Sequence, residues 1–317
     1  MIDATILIPT YRHAALLPYA VRSALAQESA SIELFVVGDG VEDDTRTALE
    51  PFLTDPRVRF FDLPKGERNG ELNRHAALAE AAGHIVCYLS DDDLLLPCHV
   101  ATMLELLEDA DLAHSAPFIV EPGDVLAYIP FELAQEAQQA RLRHGHWNAI
   151  GLTGAAHTVA AYRLLPWGWC PGPTEVWSDL HMWRQFLELP NFRGVTGTEL
   201  TFLAFPNPTW SKLPHEERVS ALVSWSAAIH DPEGRRRLAR QAQRTRVART
   251  AAVDLYAFEL KRRGDNLDEQ LIERDRQIAD LRAALATMEA TRIWRLRNRL
   301  LALRPVRALA ARLPAAR

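Results

Sequence analysis

The chain has 317 residues, 48% hydrophobic and 24% charged, an ordinary soluble composition with room for one large domain of roughly 200–250 residues and an appendage. No apolar run approaches the ~20 residues of a membrane-spanning helix, which excludes an integral membrane protein, and residues 1–9 show neither the basic nor the long apolar region of a signal peptide. The net charge of −5 is uneven: residues 292–317 hold eight Arg and no acid, leaving −13 on the rest, which argues against a nucleic-acid-binding body and points only the tail at an anionic partner.

Cys87, Cys98 and Cys170 form no CxxC or ligand-like spacing and suggest a reducing cytoplasm, with Cys87 a small core residue inside a strand. In chain order, residues 5–9 read as a short buried strand, and residues 18–27 as a helix spaced through Tyr19, Val21, Ala24 and Leu25. A second strand, 32–37, ends in Gly38-Asp39-Gly40, and a helix over 43–53 follows with acids in its first turn, where the helix dipole favours them. Residues 57–61 are a third strand, 72–82 a third helix, and 84–89 a fourth strand, whose Ile85, Val86, Tyr88 and Leu89 lead straight into Ser90-Asp91-Asp92-Asp93. Strands alternating with helices predict a doubly wound, mainly parallel α/β sheet, in which loops 9–12, 38–40 and 90–93 share one edge.

That convergence concentrates chemistry. Consecutive carboxylates after a buried strand repel one another, and a hard divalent cation, Mg²⁺ or Mn²⁺, is the usual remedy. The bland alternative is an acidic turn that helps to cap a helix starting near Pro97. Thr10 and nearby backbone N–H groups suit a phosphate or base. Asp39, between two glycines, suits hydrogen bonds from a nucleobase or ribose, although an Asp-Gly pair is also an ordinary turn. The loop over 63–70 carries Lys65 and Arg68 and suits a diphosphate, or else is merely solvated. Neither GxxxxGK[ST] nor GxGxxG occurs, so neither a Walker NTPase nor a dinucleotide-binding domain is supported.

Ile8-Pro-Thr-Tyr11, Glu33-Leu-Phe-Val-Val-Gly-Asp-Gly40, Asn73 with Ala77-Leu-Ala-Glu-Ala-Ala-Gly83, and Tyr88-Leu-Ser-Asp-Asp-Asp-Leu-Leu-Leu-Pro97 occur in an order that resembles glycosyltransferase family 2, the inverting nucleotide-sugar enzymes of the GT-A fold. The resemblance implies a nucleotide pocket lined by Pro9, Thr10, Tyr11 and Asp39, with Asn73, Asp91 and Asp92 at the donor; Arg12 and Lys65, from the loops at the same edge, are further donor-binding candidates. It also implies a D-x-D contact to Mg²⁺ or Mn²⁺. Where the family often carries Asp-Ser-Asp-Asp, this chain reads Ser90-Asp91-Asp92-Asp93, so the metal carboxylate is open among the three, leaning to Asp93 with Asp92 close behind.

The second half resembles the family less. Residues 94–113 give a helix and a short strand, 131–144 a helix, and 165–173 an aromatic Pro/Gly-rich loop whose Trp167 and Trp169 are either sugar-stacking platforms or packing anchors. Ser178-Asp179 resembles the family's acidic motif, an Asp opening a helix with Leu180, Trp183 and Phe186 as its buried stripe. This implies Asp179 as general base, with Glu175 as fallback; His181 reads as a structural neighbour rather than a metal ligand.

Residues 1–212 are therefore expected to form the GT-A domain (1–97 the nucleotide-sugar half, 98–212 the acceptor half), and 213–264 a helical extension. Residues 265–317 are expected to be a short coiled coil and a basic tail. Leu271, Ile278, Leu281, Leu285 and Met288 repeat at three-and-four spacing with Arg274 interrupting, a seam for a homo-oligomer or a helical hairpin. Residues 291–304 mix Arg with Leu, Ile and Trp294 as a basic amphipathic helix for an anionic membrane surface, or for docking on the body or a partner. The expected activity is metal-dependent, inverting transfer from a nucleoside-diphosphate sugar to a sugar or lipid-linked saccharide acceptor, for surface polysaccharide or glycolipid, at the inner face of the cell membrane. The competing readings are a nucleotidyltransferase of related α/β fold and a non-catalytic scaffold.

Overall fold

In this computed structural model, which describes residues 2–290 together with Leu296 and Arg299, the first hundred residues alternate as predicted. The elements are β1 (Ala4–Thr10), α1 (Leu17–Leu25), β2 (Ile32–Asp39), α2 (Asp43–Leu49), β3 (Val58–Leu63), α3 (Glu71–Leu78) and β4 (Ile85–Tyr88). There follow β5 (Leu94–Leu95), α4 (His99–Leu106), β6 (Leu112–His114), a hairpin of β7 (Phe118–Glu121) and β8 (Val125–Tyr128), and α5 (Glu136–His144). Then come β9 (Ala155–Thr158), α6 (Val159–Tyr162), α7 (Ser178–Leu187), β10 (Gly194–Thr196) and β11 (Phe202–Leu203). The last described elements are α8 (Asn207–Trp210), α9 (His215–His230) and α10 (Pro232–Ala290).

The central sheet runs β10-β6-β9-β4-β1-β2-β3, parallel except where β9 lies antiparallel between β4 and β6. Strands β1, β2 and β4 are buried along almost their whole length because both sheet faces are covered, which is why they read as unbroken apolar runs. Alternation sorts their side chains into two cores. Ile6, Ile8, Leu34 and Val36 pack with Leu17, Val21 and Ala24 of α1 and Val100 and Met103 of α4. On the other face Leu7, Phe35, Val37 and Tyr88 pack with Ala77 and Leu78 of α3 and Leu180, Trp183 and Phe186 of α7. A third core joins Leu94, Phe118, Leu203 and Trp210 to Leu222, Trp225 and Ile229 of α9 and Leu238 and Ala242 of α10.

Three features depart from the sequence reading. The β7–β8 hairpin turns on Gly123 and Asp124, both at positive φ, within a Pro-Gly-Asp turn signal. Strand β9 has no run of β-branched residues, and its Ala155 and Ala156 are fully buried between β4 and β6. The helix expected from residue 131 starts only at Glu136, since Phe131 and Leu133 are buried in the second core and the Leu133 N–H donates to Thr196 Oγ1 at 2.9 Å.

The described chain divides into one compact unit, Met1–Thr250, and a second beginning at Ala251. In the second, Leu267, Leu271, Ile278, Leu281, Leu285 and Met288 are all exposed on α10. Except for Leu296 and Arg299, the basic tail expected over 291–317 lies outside the described residues.

Candidate active site

Parallel pairing sets one end of the site. Thr10 of β1 pairs with Gly38 of β2, and Leu7 with Tyr88 of β4, so Thr10-Tyr11, Asp39 and the Ser90–Asp93 loop leave the same sheet edge side by side. Asp39 is buried and fully engaged: its Oδ1 accepts from Gly66 N (2.7 Å) and Asn73 Nδ2 (2.8 Å), its Oδ2 from Lys65 Nζ (2.5 Å). Gly70 makes this packing possible, for its φ is +71° and a Cβ there would lie 2.5 Å from Asp39 Cγ. Lys65 therefore serves Asp39 and two carbonyls, with its ammonium 5.2 Å from the Tyr11 ring centre. Tyr11 and Arg12 are exposed and stack on each other, Pro9 is partly buried, and the Thr10 hydroxyl is buried without a partner among the described residues.

Each carboxylate of the acidic loop has its own company. Asp91 accepts the Tyr11 N–H (3.2 Å) and bonds His13 Nδ1 (2.8 Å), and that bond raises the His13 pKa. Asp92 pairs with Arg218 of α9 at 3.2 Å; burial, and then the charge of Asp91, push its pKa up to about 6. Asp93, the residue to which the sequence leans for the metal, accepts Phe205 N through Oδ1 (2.7 Å) and the Thr153 hydroxyl through Oδ2, and burial holds its pKa well above the carboxylate range. Each of its oxygens accepts one hydrogen bond, and burial disfavours its ionised form. The residues whose ligand atoms gather are instead His13, Asp91 and Asp92, all within 4.8 Å of one another. One imidazole and two carboxylates are a donor set that a divalent ion such as Mn²⁺ can use when His13 is neutral.

Asp179 lies in the first turn of α7, where its Oδ1 accepts from the Leu180 N–H at 2.8 Å. Burial pushes its pKa up to about 6, against the Leu180 bond and the charge of Arg74. Glu175 is solvated and its pKa is lowered, by its own backbone amide and then by Thr174. The loop after β3 ties this region to the nucleotide side: Arg68 donates to the carbonyls of Gly172, Pro173 (2.8 Å) and Val176 (3.2 Å), so its guanidinium is committed to the chain. Beneath lies Arg74, buried, its guanidinium 4.3 Å from the Trp169 ring centre. Trp169 is fully buried and donates to Tyr88 Oη at 2.9 Å, hence a packing anchor, whereas Trp167 is 70% exposed. His181 contacts Cys170 at 3.5 Å, not a metal cluster.

His13, Arg74, Thr153 and Arg218 escape the sequence reading because their partners are distant in the chain. For His13 the signal is faint: it lies one residue beyond the loop 9–12 expected at the site.

The family model for glycosyl transferase family 2 matches residues 5–164, half of the chain. Among curated proteins, the succinoglycan biosynthesis protein ExoO of Rhizobium meliloti (strain 1021) is 32% identical over 142 residues, covering 44% of this chain and 39% of that protein. A GalNAc(5)-diNAcBac-PP-undecaprenol beta-1,3-glucosyltransferase of Campylobacter jejuni is 28% identical over 102 residues, covering 32% and 33%. The chain thus matches well under half the length of these relatives. Among solved structures, S. aureus TarS 1–349 superposes with a TM-score of 0.51 at 14% identity, covering 72% of this chain and 69% of that one, a likeness of fold. With the parallel sheet, the acidic loop at its edge and a family match spanning both, the chain belongs to glycosyl transferase family 2 and has its GT-A fold.

Proposed function

We propose that the protein is a metal-dependent, inverting glycosyltransferase that moves a sugar from a nucleoside-diphosphate sugar to a hydroxyl of a saccharide or lipid-linked saccharide, in surface-polysaccharide or glycolipid synthesis. One observation carries the reading. A cluster of side chains able to hold a metal ion, at the edge of β1 and β4, coexists with a separate carboxylate, Asp179, whose pKa of about 6 suits proton abstraction near neutrality.

In this reading the base and ribose lie over Thr10, Tyr11, Arg12 and Asp39, and His13, Asp91 and Asp92 hold Mg²⁺ or Mn²⁺. When bound, the ion supplies positive charge against the departing diphosphate. Asp93 keeps the loop in place through Thr153 and Phe205, while the ligand atoms gathered within 4.8 Å belong to His13, Asp91 and Asp92. Asp179 takes the proton of the acceptor hydroxyl as it attacks the anomeric carbon, and a single displacement inverts the configuration. Glu175 is too solvated and too acidic to compete as base. Residues 1–97 form the donor half and 98–212 the acceptor half. The exposed row on α10 supports pairing of two copies, and the Arg-rich segment 292–317 supports attachment to an anionic membrane from the cytoplasmic side. Among the described residues no helix is long and apolar enough to cross a membrane.

The test is a thermal-shift panel of UDP-, GDP- and dTDP-sugars with Mn²⁺, headed by UDP-GlcNAc because TarS 1–349 has been crystallised with it. One nucleotide should raise Tm in a Mn²⁺-dependent way and then support transfer with inversion. A chain that no nucleotide sugar stabilises is not a donor-binding enzyme.

A further inference from the structure

The metal-side aspartate is paired with a residue that the family match does not reach. Arg218 lies beyond residues 5–164, on α9, and its Nη2 meets Asp92 Oδ2 at 3.2 Å with the two side chains only 13% and 12% exposed. The helix is anchored there: Leu222, Trp225 and Ile229, successive turns on from Arg218, are buried in the third core, and Trp225 Nε1 donates to Asp124 Oδ1 at 2.8 Å.

The two cations expected at the diphosphate, Lys65 and Arg68, and the pocket residue Arg12 are engaged elsewhere. Lys65 is bound to Asp39, Arg68 is bound to three carbonyls, and Arg12 is exposed beside Glu42. Among these, Arg218 is the guanidinium held against the acidic cluster. A guanidinium fork matches carboxylate and phosphate oxygens equally well. A divalent ion on Asp92 would compete with Arg218 for that carboxylate and leave a largely desolvated guanidinium in need of another anion. A nucleoside diphosphate on the same ion supplies one.

We propose that Arg218 is a donor-site residue that exchanges anions: it pairs with Asp92 before donor and metal bind, and with the diphosphate afterwards. Metal alone then competes with Arg218, whereas metal with diphosphate recruits it, so α9 is coupled to donor occupancy. This rests on the donor reading above, and the experiment separates the two.

The measurement is calorimetric titration of the full chain, wild type, Arg218→Gln and Arg218→Lys. Mn²⁺ is titrated alone; UDP, GDP and dTDP, and then the monophosphate of whichever binds, are titrated at saturating Mn²⁺. Arg218→Gln should bind Mn²⁺ alone more tightly than wild type and the diphosphate at least ~10-fold more weakly, with a much smaller loss for the monophosphate. Arg218→Lys, which keeps the charge and loses the fork, should fall between, and it preserves the readout if the Gln variant does not fold. Unchanged diphosphate affinity in both variants overturns the proposal. So does an equal loss of diphosphate, monophosphate and Mn²⁺ binding, the mark of a purely structural ion pair. If wild type binds none of the three diphosphates with Mn²⁺, the donor reading itself falls and takes this one with it.

Discussion

Asp92 and Asp179 are both lifted by burial to a pKa of about 6, yet their surroundings are built on opposite plans. Asp92 stands in a run of three acids, and each is answered by side chains or amides from far along the chain: Tyr11 and His13 for Asp91, Arg218 for Asp92, Thr153 and Phe205 for Asp93. Asp179 is the single acid in the first turn of its helix, with the Leu180 amide and the Asn148 side chain bonding it and Arg74 as the cation acting on it. Clustered charge needs compensation before it is stable in a folded chain, so a cluster is suited to exchanging cations. A half-buried acid with no second carboxylate beside it keeps its proton chemistry.

The sharpest way to break this contrast is Asp179→Asn. Turnover should fall by about 10²–10⁴ while nucleoside diphosphate still binds with Mn²⁺, as steady-state kinetics and calorimetry would report. Near-normal transfer would remove the base from α7. Next in size is Asp93→Ala, which strips the acceptor from the buried Phe205 N–H and Thr153 hydroxyl. Urea unfolding should show a loss of about 2–4 kcal/mol, with Mn²⁺ affinity little altered wherever the variant is folded. The reverse pattern, intact stability and lost Mn²⁺ binding, would return the metal to Asp93.

Smaller is the acidic limb of the pH profile. Asp179 must be ionised to accept a proton and its folded pKa is raised to about 6, so kcat/KM, which reports the free enzyme, should climb roughly ten-fold per unit below that pH and level off above it. A limb near pH 4 instead would mean an unperturbed carboxylate does the work. Smallest is Glu175→Gln: at a solvated position with no buried partner, stability should move by less than about 0.5 kcal/mol and turnover should stay close to wild type. A large fall in turnover would exchange the roles of the two acids.

What the sequence makes legible follows the range of the interactions. Strands buried on both faces announce themselves as apolar runs, and strand–helix alternation puts Asp39 and the loop 90–93 on one edge by topology alone. The helix of Asp179 carries its own periodic stripe of Leu180, Trp183 and Phe186. Contacts between residues far apart in sequence leave no such trace. Arg218 and Asp92 lie 126 positions apart, and nothing in either neighbourhood names the other. Trp167 and Trp169 look alike in a loop, yet one is bathed in solvent and the other is clasped by Tyr88, Trp183 and Arg74, a difference that the fold of the second half decides.

The bonds of Asp93 also bear on how the protein is made. Its carboxylate waits for a hydroxyl at 153 and an amide at 205, and the strand beside it, β5, finds its partner only when β11 has been made. Translation that has delivered the whole family-matched stretch, to residue 164, has therefore not yet delivered all that closes the acidic loop. Thr153 lies inside the family-matched stretch, but Phe205 and β11 lie beyond it, so the last bond to Asp93 and the partner of β5 come from outside the recognisable family segment.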